Sequence, residues 1–442
     1  MSAIAHPETL ARLEALYQAQ HAAQKELAQA RDYFYGDHPT RLTERQHTYL
    51  NTRAGGTFCA NYCRLVVEAV AERLRVAGID ADHSPTARWL WDWWRAARLE
   101  ALSTAVHLAA VRDGETFVLV DYDPQADRPR ATLQPADDGS GGVTLHYDQD
   151  GAPLYAAKRW TVDAGPGMAA HRRLNLYYPE RIEKYISTTT APYWQPHPDA
   201  PEPLPWVARD GSPLGLPVVP FRNRAADGPG GTSEISDVIP LQDALNKTLI
   251  DLLALADANA FPLLVALGFD VPDDFAIAPG SLVQVPPSLD GRTDFKIIPG
   301  TDAGNLLALL EQFVVEIARV SSTPLSRLQV SGQVAAEGTL KQQEAGLIAK
   351  VTRKQITFGD AWADVLGLAM RVQNAFGAGR VAADTPLTIN WAPAAPRSES
   401  EHLQLLLLKA QLGVPVATLL AEAGYPPAEA DDPGARPEDA PA

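Results

Sequence analysis

The chain has 442 residues, more than one compact core usually holds, so we expect several substructures. Hydrophobic residues make up 46% of the sequence, which is enough to fill their interiors. The 54 acidic residues outnumber the 38 basic ones and give a formal net charge of −16. This balance argues against a protein that holds DNA by neutralising phosphates over its whole surface, because such proteins need basic faces.

The two cysteines, Cys59 and Cys63, stand four residues apart in a segment that the sequence predicts to be helical. A zinc site needs four ligands, and no second Cys or Cys/His pair follows at a suitable spacing. A disulfide within one helical turn would be strained. We therefore expect both residues to be buried free thiols, which fits a reducing compartment.

The first half of the chain reads as helices followed by strands. Helices are predicted over residues 7–35, 61–75 and 99–111, with Gly78 and Gly114 ending the second and the third. Runs of β-branched and aromatic residues between turn signals predict strands at 116–121, 130–134, 143–148, 153–160, 173–178, 181–187 and 218–221. The Pro-rich stretch 191–205 reads as a loop.

Four tryptophans crowd into six residues: Trp89, Trp91, Trp93 and Trp94. A helix would spread them over more than one face, so some must pack between neighbouring elements. A base-stacking platform is the alternative, but such platforms usually come with a basic groove, and the nearby arginines supply only modest charge. We favour packing in the core or at a subunit interface.

The second half changes character. Helices predicted at residues 234–260 and 303–320 carry apolar residues at three- and four-residue spacings. Between them, residues 261–299 read as a small β-rich insertion with many prolines. A long helix is predicted from about Ala335 to Phe376. Shorter elements complete this half: a strand at 388–391, helices at 399–412 and 416–423, and an acidic tail from Pro426 that we expect to be disordered.

Motifs that carry chemistry are weak throughout the sequence. The glycine-rich string at 227–232 lacks the Gly-Lys-Ser/Thr ending of a phosphate-binding loop, so a structural turn is the simpler interpretation. Asp121 and Asp123 end a predicted strand without an evident third acidic partner. The sequence contains neither HExxH nor Gly-x-Ser-x-Gly. We therefore expect no catalytic or metal site and no cofactor.

Eight short strings stand in a definite order along the chain. They are YFYGDH at 33–38, NYCRLVVE at 61–68, RLRVAG at 73–78, VRDGETFV at 111–118, LPVVPF at 216–221, GTSEI at 231–235, LQDALNK at 241–247 and FGDAW at 358–362. In this order they resemble the portal, or head-to-tail connector, family of tailed bacteriophages. The resemblance covers roughly residues 30 to 425.

The resemblance implies an α+β fold: a portal-type ring subunit with a wing, a helical stem, a small β-rich clip, a tunnel loop and a helical crown. By position it implies the wing at 1–233, the first stem helix at 234–260, the clip at 261–302, the second stem helix at 303–320, the tunnel loop at 321–336, a long wing helix with its following strand at 337–391, the crown at 392–425 and a disordered acidic tail at 426–442.

The resemblance also implies a structural protein of the virion, made late in infection, and not an enzyme. Family members form a ring, usually of twelve subunits, at one capsid vertex, where double-stranded DNA is packaged by the terminase motor, retained and ejected. The implied partners are other copies of the chain, major capsid and scaffolding proteins, the terminase large subunit, head-tail adaptor proteins and DNA of any sequence, with no membrane. The implied location is the virion, after assembly in the bacterial cytoplasm.

Charged residues on the first stem helix are candidates for the channel wall: Asp243, Lys247 and Asp251. If they face the lumen, the carboxylates would repel phosphates and keep DNA from sticking. Salt screens such repulsion beyond about 8–10 Å, so only contacts near the wall matter. An ordinary solvated helix face explains the same pattern equally well.

The resemblance places two further sets of candidates. In and just beyond the tunnel loop these are Arg327, Gln329, Ser331, Gln333 and Lys341. A ring would repeat Arg327 around the channel, where it could grip phosphates weakly and reversibly, and we predict that it projects into the channel. The candidates for docking the motor and the adaptors on the clip are Phe269, Asp273, Asp274 and Arg292.

Two rival functions remain open from the sequence. A minor capsid or adaptor ring protein would also assemble at a vertex, although adaptors are generally much shorter. A DNA-processing enzyme with scattered catalytic residues is the other rival. A portal from a gene-transfer agent or a domesticated prophage would share the same biochemistry. The portal interpretation depends on the two amphipathic stem helices, whose apolar stripes we expect a single copy to leave partly uncovered.

Overall fold

The computed structural model describes most of the chain: residues 11, 14–15, 27–38, 43–53, 59–139, 141–162, 170–188, 193–224, 230–260, 263–267, 294–298, 302–328, 337–382, 385–395, 399–414, 416 and 419. The chain divides into two compact units, Met1–Ala392 and Pro393–Ala442. The first unit mixes helices with antiparallel sheets, which confirms the α+β class.

Helices dominate the beginning of the first unit. They are α1 (residues 27–35), α2 (Glu44–Arg53), α3 (Tyr62–Ala71), α4 (Ser84–Ala96) and α5 (Leu99–Asp113). The Asn61 side chain caps α3 by accepting a hydrogen bond from the Arg64 N–H at 3.0 Å. Gly114 ends α5 with a φ of 92°, as predicted, because a residue with a Cβ rarely adopts that conformation.

The predicted end of the second helix is wrong. α3 stops at Ala71, and Gly78 lies inside a strand, β1 (Val76–Ala81), instead of ending a helix. Pairing with a distant strand overrides the local helical pattern, because β1 is antiparallel to residues 387–391 and buries Val76 and Ile79.

The strands that follow form two antiparallel sheets. The smaller sheet has the order β10–β2–β3, and the larger has β4–β5–β6–β7–β8, with β9 also paired to β7. The strands are β2 (Glu115–Asp123), β3 (Arg128–Pro135), β4 (Gly141–Tyr147), β5 (Pro153–Val162), β6 (His171–Tyr177), β7 (Arg181–Thr188), β8 (Gln195–Pro196), β9 (Leu204–Pro205) and β10 (Val218–Arg222). The short strands β8 and β9 correct the prediction that 191–205 is only loop.

The predicted order of helix, β insertion and helix is present. α6 (Ile239–Ala260) precedes β11 (Leu263–Leu267) and β12 (Asp294–Ile298), which pair with each other, and α7 (Gly304–Ser321) packs against α6. α6 begins five residues later than the predicted 234, because Pro240 favours the first turn of a helix, where its missing N–H needs no partner. Residues 268–293 of the predicted insertion lie outside the described residues.

The segment expected to be a loop after α7 contains a short helix, α8 (Leu325–Leu328). The predicted long helix is α9 (Glu337–Phe376), and it is followed by β13 (Leu387–Trp391). Gly359 lets α9 approach β13, because a Cβ there would lie 3.3 Å from Trp391 Nε1. In the second unit, α10 (Glu399–Gln411) agrees with the prediction for 399–412; the prediction for 416–423 and the acidic tail lie almost wholly outside the described residues.

The tryptophan cluster lies on α4 and half of it is core. Trp94 packs edge-on against Trp362 of α9 at 5.0 Å between ring centroids. The indole N–H of Trp93 donates to the Pro129 carbonyl at 2.8 Å. Trp93 and Trp94 are buried, and Trp89 and Trp91 are half-buried. The preference for packing over base stacking is therefore confirmed for the two buried rings.

The prediction for the cysteines is half right. Both thiols are free, and Cys63 on α3 is buried, which raises its pKa to about 12. Cys59 is exposed, because it lies before the Asn61 cap and not on the helix, and its Sγ contacts the Gly36 carbonyl at 3.2 Å. Among the described residues, no helix combines the length and the apolar character needed to cross a bilayer.

His107 of α5 lies at the centre of the aromatic core. Its ring stacks on Phe358 at 5.5 Å, its Nδ1 lies 2.8 Å from the Leu74 carbonyl oxygen, and the Trp362 indole N–H donates to its Nε2 at 2.8 Å. An indole nitrogen can only donate, so Nε2 accepts and Nδ1 carries the proton. Burial lowers the pKa of His107 to about 4, against the opposing effect of the Leu74 bond. The ring is therefore neutral in the folded protein at pH 7.

We expect His107 to make the fold sensitive to mild acid. In the unfolded chain His107 binds a proton at the ordinary pKa of 6.5, whereas in the folded protein its pKa is about 4. The free energy of unfolding should therefore fall as the pH drops from about 6.5 to about 4, by on the order of 3 kcal/mol. Thermal unfolding followed across this range measures the effect.

The control is His107→Gln, which can donate and accept without titrating. Its thermal midpoint should be lower than that of the natural chain at pH 7.5 but should depend less on pH between 6.5 and 4.5. Equal pH dependence in the two proteins would contradict the assignment.

Candidate functional site

The polar side of α6 is covered by the N-terminal segment of the same chain. The Tyr33 hydroxyl of α1 donates to Asp243 Oδ1 at 2.5 Å. The Gln46 amide of α2 donates to Asp251 Oδ1 at 2.6 Å. These contacts join residues that stand more than 200 positions apart in sequence. They position both carboxylates against the protein's own surface.

Two buried amides fix the extended segment before α3 onto the same helix. Gln242 accepts a hydrogen bond from the Tyr62 N–H at 2.8 Å and donates to the Ala60 carbonyl at 2.6 Å. Asn246 accepts from the Ala60 N–H at 3.0 Å, and its Nδ2 lies 2.7 Å from His38 Nδ1. Gln242 and Asn246 are fully buried, so these bonds satisfy amide groups that water cannot reach. The sequence analysis missed both residues, although polar residues within an apolar stripe were a usable signal.

The three stem candidates therefore differ in their surroundings. Asp243 is half-buried under Tyr33, Asp251 is exposed beside Gln46, and Lys247 is exposed. They share one broad side of α6, since residues four apart lie one turn above each other. That they face a channel stays a prediction.

Arg327 lies on α8, and its guanidinium forms an ion pair with Glu72 at 2.9 Å. The side chains remain 40% and 53% exposed, so the pair is a surface contact worth at most about 1 kcal/mol. The contact leaves Arg327 accessible, and its projection into a channel stays a prediction.

Most of the other candidates lie outside the described residues. Lys341 lies on α9, but its side chain is outside the described residues. The remaining candidates lie entirely outside the described residues: Gln329, Ser331, Gln333, Phe269, Asp273, Asp274 and Arg292. Within the described part of the chain, no group of three or more His, Cys, Asp or Glu side chains could hold a metal ion.

A buried cluster of charges joins α9 to the segment before α6 and to the end of α7. Glu234 lies just before α6, and its carboxylate binds Lys350 at 2.6 Å and Lys354 at 2.7 Å, one oxygen to each ammonium group of α9. Lys350 also donates to the carbonyl of Ser321, the last residue of α7. Lys354 also donates to Asn223 Oδ1. We call Glu234, Lys350, Lys354 and Asn223 the Glu234 cluster. It ties α9 to the segment that precedes α6 and to the last residue of α7.

Electrostatics keeps this cluster charged. Burial alone would raise the pKa of Glu234, but the ammonium groups of Lys354 and Lys350 outweigh burial and lower it to about 2. Burial lowers the pKa of Lys354 as well, against the attraction of Glu234, and the second ammonium group adds to that lowering. A carboxylate that stays ionised in the interior needs such partners, because an unpaired buried charge is costly.

The family of the chain follows from comparison with known proteins. The family described as "Phage portal protein, SPP1 Gp6-like" matches residues 11–424. The chain belongs to this portal family. The sequence-based recognition is therefore confirmed, and the match includes the stem helices, the Glu234 cluster and Arg327.

Individual relatives are distant. The chain is 24% identical over 353 residues to a portal protein of Mycobacterium phage L5, and 25% identical over 336 residues to a portal protein of Mycobacterium phage D29. Each match covers 70% of this chain and 64% of the relative, so the chain spans less than two thirds of the length of these relatives. A solved structure described as the neck of a native GTA particle computed with C12 symmetry is also similar, with 13% identity, a TM-score of 0.47 and coverage of 87% of this chain and 94% of that one.

We expect Glu234→Gln to destabilise the fold by about 3–5 kcal/mol at pH 7, because it leaves the buried ammonium group of Lys354 and the half-buried one of Lys350 without a counter-charge. Lys354→Met should cost less, because Lys350 still pairs with Glu234. The double variant should recover part of the loss. Chemical denaturation of the three variants measures these differences.

The pH dependence gives a second check. The folded pKa of Glu234 is lowered from 4.5 to about 2, so its stabilising contribution is complete above about 4.5 and is lost as the pH falls towards about 2. Glu234→Gln should lack this component. A loss of under about 1 kcal/mol at pH 7 would mean that the cluster does not hold α9 to the segment before α6.

Proposed function

We propose that this chain is the subunit of a ring at one capsid vertex, through which double-stranded DNA is packaged, retained and ejected. Membership of the portal family supports the proposal. The proposed partners are twelve copies of the chain in the ring, major capsid and scaffolding proteins, the terminase large subunit and head-tail adaptors. The proposed setting is the virion vertex after assembly in the host cytoplasm, with a structural and not an enzymatic role.

The observation that supports a ring of subunits is the exposed apolar surface of α7. Its buried stripe, which includes Val314 and Ile317, is the inner side of the helix. Leu307 and Leu309 remain 49% and 42% exposed. At about 100° per residue, Leu307 lies about 50° to one side of the centre of that stripe and Leu309 about 110° to the other. A ring subunit needs two contact surfaces on opposite flanks, and α7 offers an apolar residue on each.

The channel wall is the second part of the proposal. Lys247, Asp251 and Asp243 share one side of α6, and we infer that this side and the α8 region contact the DNA path. Lys247 is exposed, so it can meet phosphates directly, whereas the exposed carboxylate of Asp251 would repel them. Mixed charge favours weak contacts, which suits a wall that DNA must slide along.

We expect the double variant Leu307→Glu, Leu309→Glu to fold but to stay monomeric, because both flanks then carry carboxylates where apolar contact is needed. Negative-stain images with symmetry analysis, together with light scattering, measure ring formation and ring number. Ala308→Glu is the control, because it is exposed on the opposite side of α7 and should still form rings. A natural chain that remains a compact monomer at high concentration would refute the ring.

Arg327 can be separated from its ion pair by two matched variants. We expect Arg327→Ala to reduce the amount of DNA retained per particle, because the guanidinium is the group that meets phosphate. Glu72→Gln breaks the same ion pair but keeps the arginine, so it should retain a normal amount. Thermal midpoints should change little in either case. Equal DNA losses in the two variants would mean that the ion pair, and not the arginine, matters.

A direct assay addresses the rival enzymatic function. Purified rings should neither hydrolyse ATP nor cut DNA in the presence of magnesium or manganese. Robust metal-dependent cleavage that copurifies with the ring would overturn the structural role.

A further inference from the structure

One face of the larger sheet carries a group of cations. In the register of β5, β6 and β7, Lys158 stands opposite Asn175, which stands opposite Lys184; Trp160 stands opposite Arg173. Paired residues of antiparallel strands point to the same side, as do residues two apart, so these side chains share one face. None of the residues that β4, β5, β6 and β7 direct to this side is Asp or Glu. Arg130 of β3 adds a further charge beside Lys158.

We call Arg130, Lys158, Arg173 and Lys184 the cationic face. Among the described residues, none of the four forms an ion pair with a carboxylate, although other arginines of the same sheet do: Arg172 binds Glu14 and Arg181 binds Glu183. Arg130 is exposed and the other three are half-buried. Asp121 stands opposite Arg130 in the register of β2 and β3, so the cationic face keeps an excess of positive charge in a chain whose net charge is −16.

Mutual repulsion is visible at both ends of the cationic face. Burial and then Arg130 lower the pKa of Lys158, against the attraction of Asp121. Its ammonium group lies 5.0 Å from the Trp160 ring centroid, a cation–π contact that holds the side chain over the sheet. On the other side, burial and then Arg173 lower the pKa of His197. An added anion would relieve this repulsion, since it would supply the missing opposite charge.

We propose that the cationic face binds the phosphates of double-stranded DNA, at a site separate from the candidate channel residues. The proposal rests on the proposed function, because a portal ring is surrounded by packaged DNA at high concentration. Four cations outnumber the carboxylate that the register places among them, Asp121 opposite Arg130, and this excess of positive charge suits a polyanion whose charges repeat every few ångströms.

Duplex DNA fits this surface better than the two alternatives. Single strands are usually bound by stacking several bases on aromatic rings, whereas here Lys158 already lies over the Trp160 ring and Arg173 donates to a ring nitrogen of His171. An acidic protein segment that added to the sheet would use backbone hydrogen bonds at an edge strand, but the cations lie on a face whose strands are paired.

Binding to covalently closed circular duplex DNA tests the proposal, because a closed circle cannot be threaded through an already closed ring. Rings are first verified by negative stain, and binding is then measured over a series of salt concentrations. The double variant Arg130→Gln, Arg173→Gln should bind more weakly, and the slope of log K against log salt should fall in magnitude by about 2. The matched control is Arg88→Gln, Arg380→Gln, which removes two exposed, unpaired arginines elsewhere and should leave the slope unchanged.

The variant pair Lys158→Gln, Lys184→Gln repeats the test if the arginine variant fails to fold. Absence of binding to closed circles at low salt, or equal losses in the test and control variants, would overturn the proposal. So would tighter binding of poly-glutamate than of DNA, which would assign the cationic face to an acidic protein. If micrographs show no rings but the variant-specific loss of DNA binding persists, the ring proposal fails and the DNA-binding face stands.

Discussion

The buried carboxylate of Glu234 is the interaction on which the arrangement of the long helices depends. One glutamate binds two lysines of α9, and one of those lysines also binds the end of α7. The segment that leads into α6, the end of α7 and the long helix α9 therefore meet at a single charge. A hydrophobic contact would tolerate small rotations, whereas a buried ion pair with fixed donors does not, because any loss of a partner exposes an unpaired charge. The cluster therefore adds little net free energy of folding, but it strongly disfavours any arrangement of these helices in which one of its charges loses a partner.

The covering of α6 by the N-terminal segment changes how its acidic residues are interpreted. From the sequence, a row of aspartates on a stem helix indicated either a channel wall or a solvated face. In the structure, Asp243 and Asp251 each accept a hydrogen bond from a residue of α1 or α2. These two aspartates therefore attach α1 and α2 to α6 within the subunit. Lys247 is exposed and has no such contact among the described residues, so it is the member of the row that is most available to another molecule.

The sequence predicted the type and order of most elements, because amphipathic helices and β-branched strands carry strong local periodicity. It failed where distant segments decide the outcome: β1 was assigned to the end of a helix, since its partner β13 lies more than 300 residues away.

The candidate site was predicted less well. Gln242, Asn246 and the Glu234 cluster are defined by three-dimensional pairing, and no spacing rule links Glu234 to Lys350 across 116 positions. The role of His107 could not be predicted from the sequence either, because its neutral tautomer depends on Leu74 and Trp362, which only the fold brings next to it.

The two exposed leucines of α7 also constrain the size of the proposed ring. With the helix parallel to the ring axis, the directions from one subunit to its two neighbours form the interior angle of a regular polygon, about 60° for three members, about 120° for six and about 150° for twelve. Leu307 and Leu309 are separated by about 160° around the helix. In a ring of three or four subunits, at least one of the two leucine side chains would face water. In a ring of many subunits, the two neighbouring subunits would cover both leucines.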